Sequence, residues 1–340
     1  MLLAKKSPFE KGRLRGIYKK RLFPFLPTTQ LTKKAPPINI KNKRMIEAIM
    51  THKKDAYYLP SPSSWPLRGS IALISIMLGA ANWLHDAWFG PYLLAFGFYM
   101  LFRVIYGWFG TVILENRQGL LDNPQVDRSF RWGMCWFIFS EVMFFGAFFG
   151  ALFYVRVVVA PILGGTEGHL ASHLLLWPQF QAAWPPLKNP SAEYLGPESI
   201  MNPWGIPALN TLILLTSGVT ITIAHVALLK SRRTVMLVAQ LATIALGILF
   251  LFFQAHEYAI AYTEKGLTLG SGIYGTTFFM LTGFHGLHVT IGTIGLCVIF
   301  YRMLIRDFDS HHHFAFEAIS WYWHFVDVVW LILFIFVYWL

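Results

Sequence analysis

Residues 234–258 read TVMLVAQLATIALGILFLFFQAHEY, 25 positions in which the only Asp, Glu, Lys or Arg is Glu257, next to the end. A helix needs about 20 apolar residues to cross the hydrocarbon of a bilayer, so this run is long enough to span. Its apolar residues are continuous rather than alternating, which argues against a barrel strand, and a backbone facing lipid must satisfy its own hydrogen bonds. Six more runs of the same kind lie at 69–87, 91–114, 132–158, 206–229, 272–301 and 318–340. The reading is an all-α integral membrane protein with seven transmembrane helices, its membrane domain covering 57–340. Composition agrees: 55% of the 340 residues are hydrophobic and 13% charged, a balance that a water-soluble globule of this size does not keep.

The formal charge of +11 suggests a nucleic-acid or anionic-lipid binder until it is located. Residues 1–50 hold 13 Lys and Arg against two acidic residues, which is the whole of that charge, and the remainder of the chain is neutral. Residues 1–56 are therefore expected to form a basic, disordered N-terminal extension, of which 1–44 are dispensable for insertion and assembly, and no nucleic-acid partner is expected. Three origins stay open for it: a mitochondrial presequence, a membrane-surface arm, or translation assigned upstream of a start at Met45 or Met50. Cys135 and Cys297 both fall in apolar runs and show no pairing pattern.

Counting Lys and Arg between the spans gives an orientation. The arm is basic; Arg117, Arg128 and Arg131 lie between spans 2 and 3, Lys230, Arg232 and Arg233 between 4 and 5, and Arg302 and Arg306 after span 6. The other side holds Lys188 and Lys265, with Arg156 near a span end. The N-terminus is thus expected on the cytoplasmic or matrix side. The long loop between spans 3 and 4, rich in Trp and Pro, is expected to lie along the opposite interface.

Ionisable residues inside hydrocarbon cost at least about 2.5 kcal/mol on insertion scales, so each is a functional candidate. Glu141 lies near mid-span 3, Arg103 midway along span 2, and His225 on span 4; His285 and His288 stand three apart on span 6, as do His324 and Asp327 on span 7. Glu141 has no basic residue within two turns of its own span, so either another helix supplies a partner or the carboxyl is neutral; a neutral acid is expected. Asp327 is the only other acid expected at such depth, with His324 as its neighbour. Histidine pairs invite a metal or haem. A haem–copper catalytic chain would need ligating histidines on more spans, and a copper site paired cysteines with histidine. The expectation is therefore no metal, and His225, His285, His288, His324 and Asp327 are read as a buried polar network of interhelical hydrogen bonds. The triplet His311-His312-His313 is read as solvated or touching headgroups.

Several stretches together carry a resemblance: Ser140-Glu141-Val142-Met143-Phe144-Phe145, Trp184-Pro185-Pro186, Leu209-Asn210-Thr211, Gly272 to Phe279 (GIYGTTFF), Gly283-Phe284-His285-Gly286-Leu287-His288-Val289, and the tail from Ser310 to Trp330 (SHHHFAFEAISWYWHFVDVVW). In this order, from about Tyr57 to Leu340, the chain resembles cytochrome c oxidase subunit III. The resemblance implies a subunit without haem or copper of its own, those belonging to partner subunits. It implies packing beside oxidase subunits I and II, and two bundles, helices 1–2 and 3–7, around a cleft that holds bound phospholipid. It further implies support of proton uptake and sustained turnover, with no catalytic residue in this chain. By matching position Glu141 is the carbodiimide-reactive membrane carboxyl, and Trp108, Glu115, Arg302, His312 and Phe314 are lipid-binding candidates. An arginine suits a headgroup phosphate, and Arg302 is expected to serve one rather than a protein ion pair. Where the family commonly has Trp-Arg-Asp and a basic residue before the glutamate, this chain has Phe109-Gly110-Thr111 and Leu114-Glu115. Arg103 is the nearest compensating charge. The long loop between spans 3 and 4 resembles bacterial versions, so a bacterial inner membrane is expected, with the mitochondrial inner membrane as alternative. Outside the family, a retinal protein would need a lysine inside the bundle, and a stand-alone proton transporter would draw Glu141, His285, His288 and Asp327 as a relay.

Overall fold

The computed structural model describes residues 57–340, apart from 167, 192, 194 and 311. The basic extension and its possible starts lie outside the described residues. Among those described there is no strand, and seven helices are long and apolar enough to cross a membrane: α1 Trp65–Leu84, α2 Gly90–Arg117, α3 Pro124–Leu163, α4 Ile206–Leu229, α5 Arg233–Glu264, α6 Ile273–Leu304 and α7 Phe314–Trp339. The seven expected spans are all present. A short helix, Leu170–Leu176, lies in the loop between α3 and α4.

Helix ends depart from the apolar runs for identifiable reasons. α3 starts eight residues before its hydrophobic stretch because Asn123 caps it, accepting a bond from the Gln125 amide, with Pro124 in the first turn. Arg128 and Arg131 are thereby helical rather than in a loop, and Arg131 bonds Asp127 one turn back at 2.8 Å. α5 runs six residues beyond the expected limit, to Glu264. α3 widens into a π-turn at Val155–Val159.

The helices form two groups. α1 and α2 pack along each other and make at most marginal contact with the rest, whereas α3 touches α6 and α7, and α4 to α7 form a continuous set. The hairpin is closed by small residues: a Cβ at Gly79 would collide with the Leu94 backbone, and one at Gly97 would stand 2.7 Å from the Ile76 nitrogen. Backbones that close gain dispersion contact in a solvent where apolar burial gains little. In the larger bundle Trp323 of α7 is fully buried in a slot between Gly247 of α5 and Gly292 of α6, and its Nε1–H donates to Ser217 Oγ of α4 at 2.8 Å. One side chain thus ties four helices together. The core around it includes Phe250, Phe278, Phe316, Leu296 and Trp330. Burial draws the line one helix later: 39–50% of the most apolar windows of α4 to α7 are buried, against 11–17% for α1 to α3, so α3 packs on α6 and α7 by one side only. The first three helices therefore present broad apolar faces that the rest of the described chain does not cover.

Candidate functional site: an acid–imidazole pair and a charged rim

Glu141 lies near the middle of α3, and α6 brings His288 against it. His288 Nε2 stands 2.8 Å from Glu141 Oε2, and His288 Nδ1 is 2.6 Å from the Phe284 carbonyl one turn back. That carbonyl only accepts, so Nδ1 carries a hydrogen. A neutral imidazole would then offer Glu141 a lone pair, and two lone pairs do not settle at this distance. One proton therefore lies between Nε2 and Oε2, either on the acid donating to imidazole or on an imidazolium donating to carboxylate. The pair carries the same total charge in both arrangements. Phe144 and Phe145 of α3 and Tyr322 of α7 enclose the ring at centroid distances of 5.9, 4.9 and 6.4 Å. Of the two alternatives that the sequence leaves open for Glu141, another helix does supply a partner, the imidazole of His288 on α6, 147 residues away in sequence, and the neutral acid remains one of the two arrangements of the pair.

The other polar residues expected to form one network do not. His324 Nε2 bonds Thr222 of α4 at 3.3 Å and makes no ion pair with Asp327. Asp327 packs against the α4 backbone at Gly218, where an added Cβ would be 2.6 Å from Oδ2, and its Oδ1 has no hydrogen-bond partner. His285 is fully buried among Phe250 and Trp330 rings, both nitrogens without partners. His285 and His288, three apart on α6, meet different neighbours, whereas His324 and Asp327 both lie against Gly218 of α4 without pairing. Arg103 is exposed on α2.

His225 belongs to a different cluster, near the ends of α4 and α7. Its Nε2 lies 3.7 Å from Glu317 Oε1, which is 3.0 Å from His313 Nε2, while Glu317 Oε2 pairs with Arg131 of α3. The three candidate ligand atoms, two nitrogens and an oxygen, lie within 4.8 Å of one another, a donor set of a type that divalent cations accept. Both Glu317 oxygens already have protein partners. His313 is buried and His312 exposed, so the triplet is not uniformly solvated; His311 lies outside the described residues.

On the same membrane face, the lipid-binding candidates form a charged rim between the two helix groups. Glu115 of α2 accepts from the Tyr58 hydroxyl at 3.1 Å. Asp307, just past α6, receives Arg117 Nη2 of α2 at 2.6 Å and Arg302 Nε at 3.1 Å. Arg302 is buried, with its guanidinium 4.5 Å over the Phe308 ring. This corrects the expectation that Arg302 avoids a protein ion pair: the turn through Arg306, at positive φ, returns Asp307 to it. His312 lies 3.5 Å from Asp309 and 3.9 Å from Asp122. Phe314 lies beneath Arg131 at 5.2 Å, and Trp108 is exposed on α2.

The family profile of cytochrome c oxidase subunit III matches residues 55–340. The chain belongs to the cytochrome c oxidase subunit III family. Among subunit III relatives, those of Neotragus moschatus and Canis lupus are each 42% identical over 290 residues, 85% of this chain and 99% of the relative. That of Gazella subgutturosa is 42% identical over 291 residues, with the same coverage. All three are named cytochrome c oxidase subunit 3. The match takes in every spanning helix, and with it the Glu141–His288 pair and the rim. Sequence reading of this subunit III chain missed one group altogether: Gln254, Glu257 and Tyr338, all buried. Glu257 is fully buried, so Asp327 is not the only other deep acid. The available signal was spacing, since Phe250, Gln254, Glu257 and Ala261 recur at four, three and four residues on the buried face of α5.

Proposed function

We propose that this chain is the non-redox core subunit of an aerobic respiratory oxidase complex, holding phospholipid between its two helix groups and supporting proton uptake and sustained turnover by catalytic partners. Haem and copper reside in those partners, subunits I and II, in an energy-transducing membrane with the N-terminus on the cytoplasmic or matrix side. The observation that carries the lipid role is the separation of α1–α2 from α3–α7, with little of the first three helices buried and a rim of Arg, His and aromatic side chains at one end. Acyl chains match the apolar faces, and a phosphate suits the guanidiniums as a further acceptor beside Asp307. Glu141 and His288 supply the proton-related element: a single proton that moves between two atoms 2.8 Å apart with no change in total charge.

Purification of the complex tests the reading. The chain should copurify with haem-bearing partners and be colourless when separated from them. Arg302→Ala should lower the tightly bound phospholipid of the purified complex and shorten its active life more than its initial rate. Glu141→Gln should leave electron transfer nearly intact. Loss of oxygen reduction in a fully assembled, haem-replete Glu141→Gln complex would instead place Glu141 in the catalytic machinery and overturn the proposal.

A further inference from the structure

The third of α5 farthest from the basic face carries a group that the acid–imidazole pair does not use. Because α5 continues to Glu264, Gln254 and Glu257 lie two to three turns inside its end, 5% and 0% exposed. Tyr338, in the last turn of α7 and 7% exposed, faces both of them, and Tyr274 at the start of α6 neighbours Glu257. Five polar atoms in this one place make no hydrogen bond of normal geometry, Gln254 Nε2 and Oε1, Glu257 Oε1 and Oε2, and Tyr338 Oη, although the Tyr338 hydroxyl lies close enough to interact with both Gln254 and Glu257. His285, unpartnered at both nitrogens, adjoins the group through Trp330, whose ring lies 5.1 Å from His285 and 5.9 Å from Tyr338. Asn210 of α4 is likewise fully buried with both amide atoms unpartnered.

Folded chains do not leave polar atoms unbonded in such concentration, so a polar occupant makes these bonds. The chemistry of the set identifies it. A metal cation bonds acceptors only and would leave the Gln254 Nε2–H and Tyr338 O–H donors unserved; an anion bonds donors only and would leave the Gln254 and Glu257 carbonyl oxygens unserved. Water both donates and accepts, and one molecule serves two to four groups. No cation pairs with Glu257 among the described residues, and a neutral acid is the form that an apolar surround of Phe250, Phe278 and Trp330 tolerates. We propose that α4 to α7 enclose a hydrated chamber in which ordered water bridges Gln254, Glu257 and Tyr338, and in which Glu257 holds one proton exchangeable through that water.

The test uses the intact purified complex. Infrared difference spectra between wild type and Glu257→Gln, recorded in H2O and after transfer to D2O, should show one carboxylic C=O band that is lost in the variant and shifts down in D2O. A cryo-EM map of the wild-type complex at water-resolving resolution should show water peaks within hydrogen-bonding reach of the three side chains. The chamber is overturned by a dry map in which the three side chains bond one another directly. The exchangeable proton is overturned by an acid band that D2O leaves in place, or by the loss of no acid band. Should Glu257→Gln fail to assemble, the wild-type map alone decides the chamber.

Discussion

Replacing His288 with leucine removes the group that shares a proton with Glu141 and leaves the rest of the α3–α6 contact apolar. The contact is 2.8 Å long, and the side chains of His288 and Glu141 are 11% and 21% exposed, so water competes weakly for it. A hydrogen bond involving a charged partner is worth about 1.5–3 kcal/mol net. The exposed fifth of Glu141 moves the expectation to the lower part of that range, about 1.5–2 kcal/mol. With a tenfold change for each 1.4 kcal/mol, the fraction of Glu141 carrying an unengaged acid proton should rise about 10–30-fold. A hydrophobic carbodiimide reacts with the protonated carboxyl and reaches it through the membrane. Labelling of the intact complex, followed by mass spectrometry of the Glu141 peptide, should therefore accelerate by that factor in His288→Leu, with Glu141→Gln as the blank. An unchanged or slower rate in an assembled His288→Leu complex would show that this bond does not hold the proton, and the reading of the pair would fail.

Three more outcomes are expected. Ser217→Ala strands the fully buried Nε1–H of Trp323, at about 1–3 kcal/mol, and the midpoint of thermal unfolding should fall; combining it with Trp323→Phe should cost less than the sum, as a double-mutant cycle would report. Asp307→Asn leaves the buried Arg302 guanidinium without its counter-charge, at about 3–5 kcal/mol, and should lower the detergent resistance of the subunit; unchanged resistance would contradict the rim as drawn. Gly97→Leu places a side chain where only 2.7 Å separates a Cβ from the Ile76 backbone, so cysteine cross-links between α1 and α2 should weaken while the α4–α7 core stays protected from protease.

The seven helices were legible because hydrocarbon imposes a length and a composition on every spanning segment, and neither depends on knowing the neighbours. What a helix meets was not legible. Glu141 lacks a basic partner along its own helix and meets His288 from another, since pairing across helices is a property of packing. Arg302 was read against its surroundings in sequence, where Asp307 is only five residues away, yet the reversal that joins them depends on a residue, Arg306, held at φ 61°. Glu257 escaped for a different reason. The expected span stops at Tyr258, just after the polar Gln254, His256 and Glu257, although Ala259, Ile260 and Ala261 resume the apolar run; α5 continues to Glu264, which turns a residue near an apparent terminus into an interior one. The rim residues became candidates only through family resemblance, because composition alone gives an exposed tryptophan or histidine no address.

The close backbone contact within the α1–α2 hairpin bears on how the chain is made. Only five residues, His85–Phe89, separate the two helices, so the hairpin can zip from its turn, from Gly79 against Leu94 near the connection out to Trp65 against Gly107, each contact closing only a small further loop. The hairpin can therefore close while later helices are still being synthesised, since it requires nothing from them. The five-helix group has no such freedom: Trp323 meets Ser217 across 106 residues, so its central lock waits for the seventh helix. Biogenesis would then proceed in two unequal acts, an early helical pair that drifts in lipid and a late bundle completed only as the C-terminal segment enters the membrane.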